Sequence, residues 1–254
     1  MAALTSFNAL VEALRDGLPV NKVLLNRSRR DARIATVIEL CRRRGVVFQF
    51  VPAEALDRKA GARNQGVWAE VSPVQFRSIG EMLAAARTGL VVVLDGIEDT
   101  GNLGAIVRTA AAVEADGIVL SVRGSAPVND TVWKTSAGAL GKVPLVQSRN
   151  LARDLEKMKA GGFWVVAADQ RAGSNFYDFD FKGPTAVILG NEGKGVSPLL
   201  KKNADGLLAV PHAPAVESLN VSAAAAIILF EAYRQKQMKG DAAKKNLGKQ
   251  NGKP

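Results

Sequence analysis

Apolar residues first recur at helical spacing, at Phe7, Leu10, Val11 and Leu14, until Gly17-Leu18-Pro19 breaks the pattern. Val20–Leu25 then reads as a strand. A second helical stripe (Ile34, Val37, Ile38, Cys41) runs through Arg33–Arg44 and stops at Gly45, the residue type that most readily leaves a helix in the left-handed conformation. Val46–Val51 is a short apolar run closed by Pro52, and Asp57–Gly66 is a polar loop before a further run at Val67–Val71. Pro73–Thr88 reads as a linker with a lead-in helix. From Leu90 the pattern changes to apolar runs separated by helical segments. Strands are predicted at Leu90–Leu94, Gly117–Ser121, Phe163–Ala168, Thr185–Leu189 and Leu207–Val210, with helices at Asn102–Ala115 and Asn220–Gln235. Runs with no polar alternation, set between helices, imply a parallel sheet covered on both faces. The expected layout is a small α/β unit over 1–72, a linker over 73–89, an α/β domain over 90–235 and a basic, disordered tail over 236–254.

The 254 residues are 47% hydrophobic and 23% charged, the balance of a globular protein, and no apolar run is long enough for a membrane helix. The N-terminus lacks the basic and apolar regions of a secretion signal. A single cysteine, Cys41, excludes an intramolecular disulfide and a multi-cysteine metal site. The expected compartment is the reducing cytoplasm. One histidine, His212, leaves little room for triad or histidine-metal chemistry, and its Pro-bracketed loop has no acidic partner nearby. No metal is expected.

The net charge of +10 and a pI near 9.9 point to a polyanionic partner. Arg27, Arg29, Arg30, Arg33, Arg42, Arg43 and Arg44 crowd one stretch of the first unit, with only Asp31 and Glu39 among them. The expected partner is RNA, met by Arg27, Arg29, Arg30, Arg58, Arg63 and Arg108.

Three polar clusters interrupt the second unit, each just after a predicted strand, where open α/β sheets bind ligands. The first runs from Asp95 to Ala110. There Asn102 is placed to cap a helix, Gly101 and Gly104 leave its N-terminus open, and Arg108 sits on the edge of the buried stripe. The second, Leu189-Gly190-Asn191-Glu192-Gly193-Lys194-Gly195, has three glycines in six residues and lets backbone approach a ligand. It matches neither a P-loop nor a dinucleotide fingerprint. The third, from Val210 and Pro211 through Ser218-Leu219-Asn220-Val221-Ser222 to an alanine run, starts a helix at Ser218 or Asn220.

In order and spacing these clusters resemble the three motifs of the SpoU (TrmH) family of RNA 2′-O-ribose methyltransferases. Asn102, Gly104 and Arg108 form the first; Gly190, Glu192, Gly193 and Gly195 the second; Pro211, Ser218–Ser222, Ala224 and Ala226 the third. The resemblance implies a SPOUT domain, a parallel α/β sheet with a C-terminal trefoil knot, acting as a homodimer on S-adenosylmethionine. It implies that Gly190, Val210 and Leu219 meet the cofactor through backbone, that adenine lies near Leu189 and Pro211, and that Asn191, Gly193, Ser218 and Asn220 complete the pocket. Arg108, Asn102, Glu192, Ser218 and Asn220 are the implied catalytic set, with Arg108 either the base or a positioning and charge-stabilising group. Ser136-Ala137-Gly138-Ala139 resembles a family segment near the active site.

The first seventy residues are similar to the RNA-binding module of members that methylate a guanosine in large-subunit (23S) ribosomal RNA, with Asn64-Gln65-Gly66 where relatives often carry His-Gln-Gly. Other readings stay open: a tRNA ribose methyltransferase, a resistance-conferring rRNA methyltransferase, or a non-catalytic ribosome-assembly factor.

Overall fold

The computed structural model describes residues 2–250 except positions 17, 19, 30–31, 62–63 and 72–75, and except the side chains of 2, 130 and 239–250. Arg30 and Arg63, two of the expected RNA contacts, lie outside the described residues, as do Pro73 and its neighbours in the expected linker.

The chain forms two sheets. The first is four-stranded, in the order β1 (Ala2–Leu4), β4 (Val67–Val71), β2 (Val20–Asn26), β3 (Val47–Val51); only β2 and β3 run parallel. Helices α1 (Phe7–Arg15) and α2 (Ala32–Arg44) cover one face with Phe7, Leu10, Ile34, Val37 and Cys41. Helix α3 (Ala53–Ala60) covers the other, setting Leu56 against Leu24 and Trp68. This helix takes in the start of the predicted polar loop. With Leu56 as its one buried residue, it has no apolar stripe to reveal it. Burial pushes the Cys41 thiol up to about 11, so it stays a neutral thiol at physiological pH. A thiol-directed reagent at neutral pH should therefore leave the folded protein unlabelled and react only once it is denatured.

The second sheet has seven strands in the order β11 (Gly206–Leu208), β9 (Trp164–Ala168), β10 (Thr185–Gly190), β6 (Leu90–Asp95), β7 (Gly117–Ser121), β8 (Leu145–Ser148), β5 (Phe76–Arg77). Every pairing in it is parallel. Strands β6 and β10 are buried on both faces, which is why their sequences show no alternation. Leu90, Val92, Leu94, Val187 and Leu189 face α5 (Thr100–Ala112) and α9 (Val221–Gln250). Val91, Val93, Ala186 and Ile188 face the side covered by α4 (Ile79–Ala84), α7 (Leu151–Ala160) and α8 (Pro198–Asn203). Strand order reverses between β6 and β10, the switch point at which such sheets open to ligands.

Several boundaries differ from expectation. Helix α5 begins at Thr100 and ends at Ala112, because Asp99 caps it by accepting from Asn102 N at 2.7 Å. Asn102, expected as the cap, lies inside the first turn. Helix α9 continues to Gln250, past Gln235, so the segment expected to be a disordered tail is helical through that point. Extending an existing helix through Ala- and Lys-rich sequence needs no new nucleation, which is the costly step.

The two units meet where β1 packs against α6 (Asp130–Thr135) and α1 against the turn that follows it. Lys142 Nζ lies 3.3 Å from Glu12 Oε2, and the Cα of Gly138 faces the Glu12 side chain with no space for a further carbon. A single hydrophobic cluster runs from Leu4 and Phe7 through Trp133 and Leu140 to Ile106 and Leu189.

Candidate functional site

The three motif clusters converge at the carboxyl ends of β6, β10 and β11. Strand register aligns Leu189 with Leu94 and Gly190 with Asp95, so the turns after β6 and β10 start side by side. The turn after β10 is folded by Asn191. Its Nδ2 donates to Gly96 O at 2.9 Å, and its Oδ1 accepts from Gly193 N at 2.9 Å and Lys194 N at 3.2 Å. Asp95 Oδ2 accepts from Ser197 N at 2.8 Å, tying the far end of the turn to β6. The Asn191 amide is thus engaged within the turn, and backbone is what this residue offers a ligand.

Because Asp99 caps α5, the Asn102 side chain is released for another task. Asn102 Nδ2 donates to Glu192 Oε1 at 2.7 Å, and Asn220 Nδ2 donates to Asn102 Oδ1 at 3.0 Å. Asn220 Oδ1 in turn accepts from Ser222 N at 2.8 Å and Ser222 Oγ at 2.6 Å, so it caps α9. Both ends of this chain fix its polarity. A carboxylate can only accept and a backbone N–H can only donate, so each amide has one satisfying orientation. Each neutral link contributes about 0.5–1.5 kcal/mol, too little to hold the fold but enough to hold three loops in one arrangement.

Beside this chain lies a cleft of ≈ 460 Å³, within the roughly 300–1,000 Å³ range of small-molecule pockets. Leu189, Val196, Leu208, Val210 and Leu219 give it apolar walls, and Gly190, Asn191, Gly193 and Gly195 line it beside them. At Gly190 a Cβ would overlap the backbone carbon of Gly195 and nitrogen of Val196, so the turn closes only around a glycine. Gly104, buried on α5, is equally constrained: a Cβ there would overlap the Thr135 side chain.

Of the residues expected at the cofactor, Leu189, Gly190, Asn191, Gly193, Val210, Ser218 and Leu219 line the cleft. Pro211 and Asn220 do not, although their neighbours in sequence do. Glu192 and Ser218 of the expected catalytic set line it, and Asn102 and Asn220 join it through the hydrogen-bonded chain. Arg108 does not line it. Its side chain is exposed on α5 and makes no hydrogen bond or ion pair among the described residues. Arg27 and Arg58 are exposed on the first unit, and Arg29 Nη1 donates to Gln65 O at 2.6 Å.

The cleft also takes in Asp169, Gln170, Arg171 and Lys201, which sequence reasoning left out. Asp169 directly follows β9, so the rule that ligands gather beyond strand ends would have found it. Lys201 Nζ lies 2.6 Å from Asp169 Oδ2, and Arg171 N donates to Asp169 Oδ1 at 2.9 Å. The Lys201 hydrogen bond, partly opposed by desolvation and aided by the Arg171 N–H, holds the Asp169 carboxyl below the ordinary carboxylate range. A depressed folded value stabilises the fold above the unfolded value of about 3.9, and that contribution is lost as pH falls through the folded value. Lys201→Met should raise the Asp169 titration midpoint, read by carboxyl NMR, and weaken folding at neutral pH more than near pH ~2. His212 lines the cleft as well. Its Nδ1 is 2.9 Å from Val210 O, a pure acceptor, so Nδ1 is the donor in this contact.

Comparison with known proteins agrees with this geometry. The SpoU rRNA Methylase family matches residues 89–230, and the family of RNA 2′-O ribose methyltransferase substrate-binding domains matches residues 7–77. A Bacillus subtilis protein named as a TrmH family tRNA/rRNA methyltransferase, YacO, is 37% identical over 238 residues, 92% of this chain and 96% of its own. The S-adenosylmethionine complex of the SpoU methyltransferase AviRb from Streptomyces viridochromogenes superposes with a TM-score of 0.79 at 26% identity, covering 93% of this chain and 90% of that one. A TrmH/SpoU tRNA modifying enzyme of A. aeolicus matches with a TM-score of 0.55 at 33% identity, over 64% of this chain and 82% of that one. The chain belongs to the SpoU rRNA methylase family. It is an S-adenosylmethionine-dependent RNA ribose-2′-O-methyltransferase with an N-terminal substrate-binding domain.

Proposed function

We propose that the protein methylates the ribose 2′-hydroxyl of a guanosine in 23S ribosomal RNA. The observation that carries the reading is the Glu192–Asn102–Asn220 chain, which joins the three motif loops at the rim of the cleft. A ribosomal target is supported by the substrate-binding domain over residues 7–77; the tRNA modifying enzyme of A. aeolicus matches only 64% of this chain.

S-adenosylmethionine supplies an electrophilic methyl group on a sulfonium. The cleft suits that molecule: apolar side chains for the adenine, closely approaching backbone at Gly190, and room of the right order. Leu189, Gly190, Val210 and Leu219 would hold it, with Ser218 and Glu192 placed at the rim for the RNA. The cleft residues would hold the methyl donor against the ribose, and alignment of reactants in this way lowers a barrier by on the order of 7–11 kcal/mol. Glu192, Asn102 and Asn220 keep the loops that set this alignment in register. A guanidinium carries five N–H donors and no acceptor, so the part of Arg108 is to place an RNA phosphate and stabilise negative charge developing on the 2′-oxygen.

The reading also carries the trefoil knot and the homodimer of the family, action in the cytoplasm, and a division into 1–72, a connector over 73–89 and a catalytic part over 90–235. The exposed Ile227 and Phe230 on α9 support a second copy packing there, and light scattering should report twice the chain mass. The decisive experiment is to incubate the protein with methyl-labelled S-adenosylmethionine and total RNA from a strain lacking the gene. Label should map to a ribose in 23S RNA; label in tRNA alone would move the target, and none in any RNA would end the reading.

A further inference from the structure

Strand β3 is the outer strand of the first sheet, paired with β2 alone. Edge strands are ordinarily protected by charge, proline or bulges, yet Val47 is 60% exposed and Phe50 is 41% exposed here. Phe48 and Phe50 share one face, with their rings edge to face at a centroid distance of 6.4 Å. Phe48 packs against the core, so the Phe50 ring is braced from behind and still open to solvent.

Phe50 also lies next to the basic turn that follows β2. Register sets it opposite Leu25, and Arg27 N donates to Val51 O at 2.9 Å. The turn is held in shape: Ser28 N donates to Asn26 Oδ1 at 2.9 Å, Asn26 N donates to Gly66 O at 3.0 Å, and Arg29 Nη1 reaches Gln65 O. Arg29 is further steadied by lying over the Phe7 ring, 5.9 Å from its centroid. A flat apolar face and positioned cations therefore occupy one end of the sheet.

We propose that Phe50 is a stacking platform for an unpaired base of the RNA substrate, with Arg27 and Arg29 meeting the adjoining phosphates. The inference rests on the N-terminal unit being the RNA-binding part. Phosphate contacts alone would need no exposed ring, whereas every base has a π face that stacks on an aromatic side chain. In a duplex that face is covered by neighbouring base pairs, so the platform selects loops and single strands over helices.

The test uses the full chain, fluorescence anisotropy, and two probes: a labelled oligoadenylate and the same strand annealed to oligouridylate. Phe50→Leu keeps the apolar bulk and removes the flat face, and it should weaken single-strand binding by about tenfold or more with duplex binding unchanged. Phe50→Tyr should bind as the parent does. Melting temperature and S-adenosylmethionine affinity by calorimetry should be the same in all three proteins. Equal binding by Phe50→Leu and the parent, or equal weakening by both variants, would overturn the proposal. A change of oligomeric state in Phe50→Leu would overturn it too, in favour of an edge that pairs two copies of this chain. Failure of the ribosomal target shows separately, in where the parent protein places its label.

Discussion

Arg108→Ala should bind S-adenosylmethionine with the affinity of the parent and transfer methyl groups on the order of 10²–10³-fold more slowly, the loss seen when a single donor to a developing oxyanion is removed. The two halves of this expectation come from different facts. Cofactor affinity is preserved because Arg108 does not line the cleft and braces no residue that does. Turnover falls because an exposed guanidinium with no partner among the described residues, one turn beyond Gly104 on the helix that carries Asn102, is left for RNA. Calorimetry and a single-turnover transfer assay read the two separately, and near-parental turnover would remove Arg108 from the mechanism. Arg108→Lys distinguishes its chemical part. A base would carry its own pKa into the pH–rate profile, and lysine near 10.4 would move that profile to lower pH. A charge stabiliser would lower the rate and leave the profile in place.

Gly190→Ala should damage both folding and cofactor binding. The new methyl group would overlap backbone at Gly195 and Val196, which have no side-chain freedom with which to yield. Overpacking of this kind costs about 1–3 kcal/mol, and a domain of this size loses roughly 2–4 °C of melting temperature for each kcal/mol. Reopening the turn also moves the backbone of the cleft, so affinity for S-adenosylmethionine should fall at least about tenfold, one factor of ten per ~1.4 kcal/mol. Gly193→Ala is the control. A Cβ there would meet nothing closer than Asn191 Oδ1 at 3.6 Å, ordinary contact, so its melting temperature should stay near that of the parent. If Gly190→Ala behaves like Gly193→Ala, the close approach at Gly190 is not needed by the fold.

Much of this was legible in the chain. Apolar runs such as Leu90–Leu94 and Thr185–Leu189 lack alternation because both faces of the sheet are covered, and burial on two sides leaves that mark directly in residue type. The three motif turns could be placed for the same reason, since each follows such a run. Links between the turns could not be read. Asn102 pairs with Glu192 across 90 positions and with Asn220 across 118, and no local periodicity encodes a contact that chain topology creates. Asn102 also looked like a helix cap because Asn is a good one, but Asp99 stands three residues earlier with an oxygen in reach of Asn102 N. Lys201 escaped for a different reason: it is an ordinary surface residue type on α8, and only the fold brings it beside Asp169 at the end of β9, a residue the strand-end rule could have found.

The contact between Glu12 and the Gly138–Lys142 turn bears on how a target is chosen. One hydrophobic cluster is continuous through both sheets, so the basic turn after β2 and the cleft beyond β10 belong to units that pack on each other. An RNA lengthened between its anchoring segment and its reactive ribose should therefore bind without being methylated.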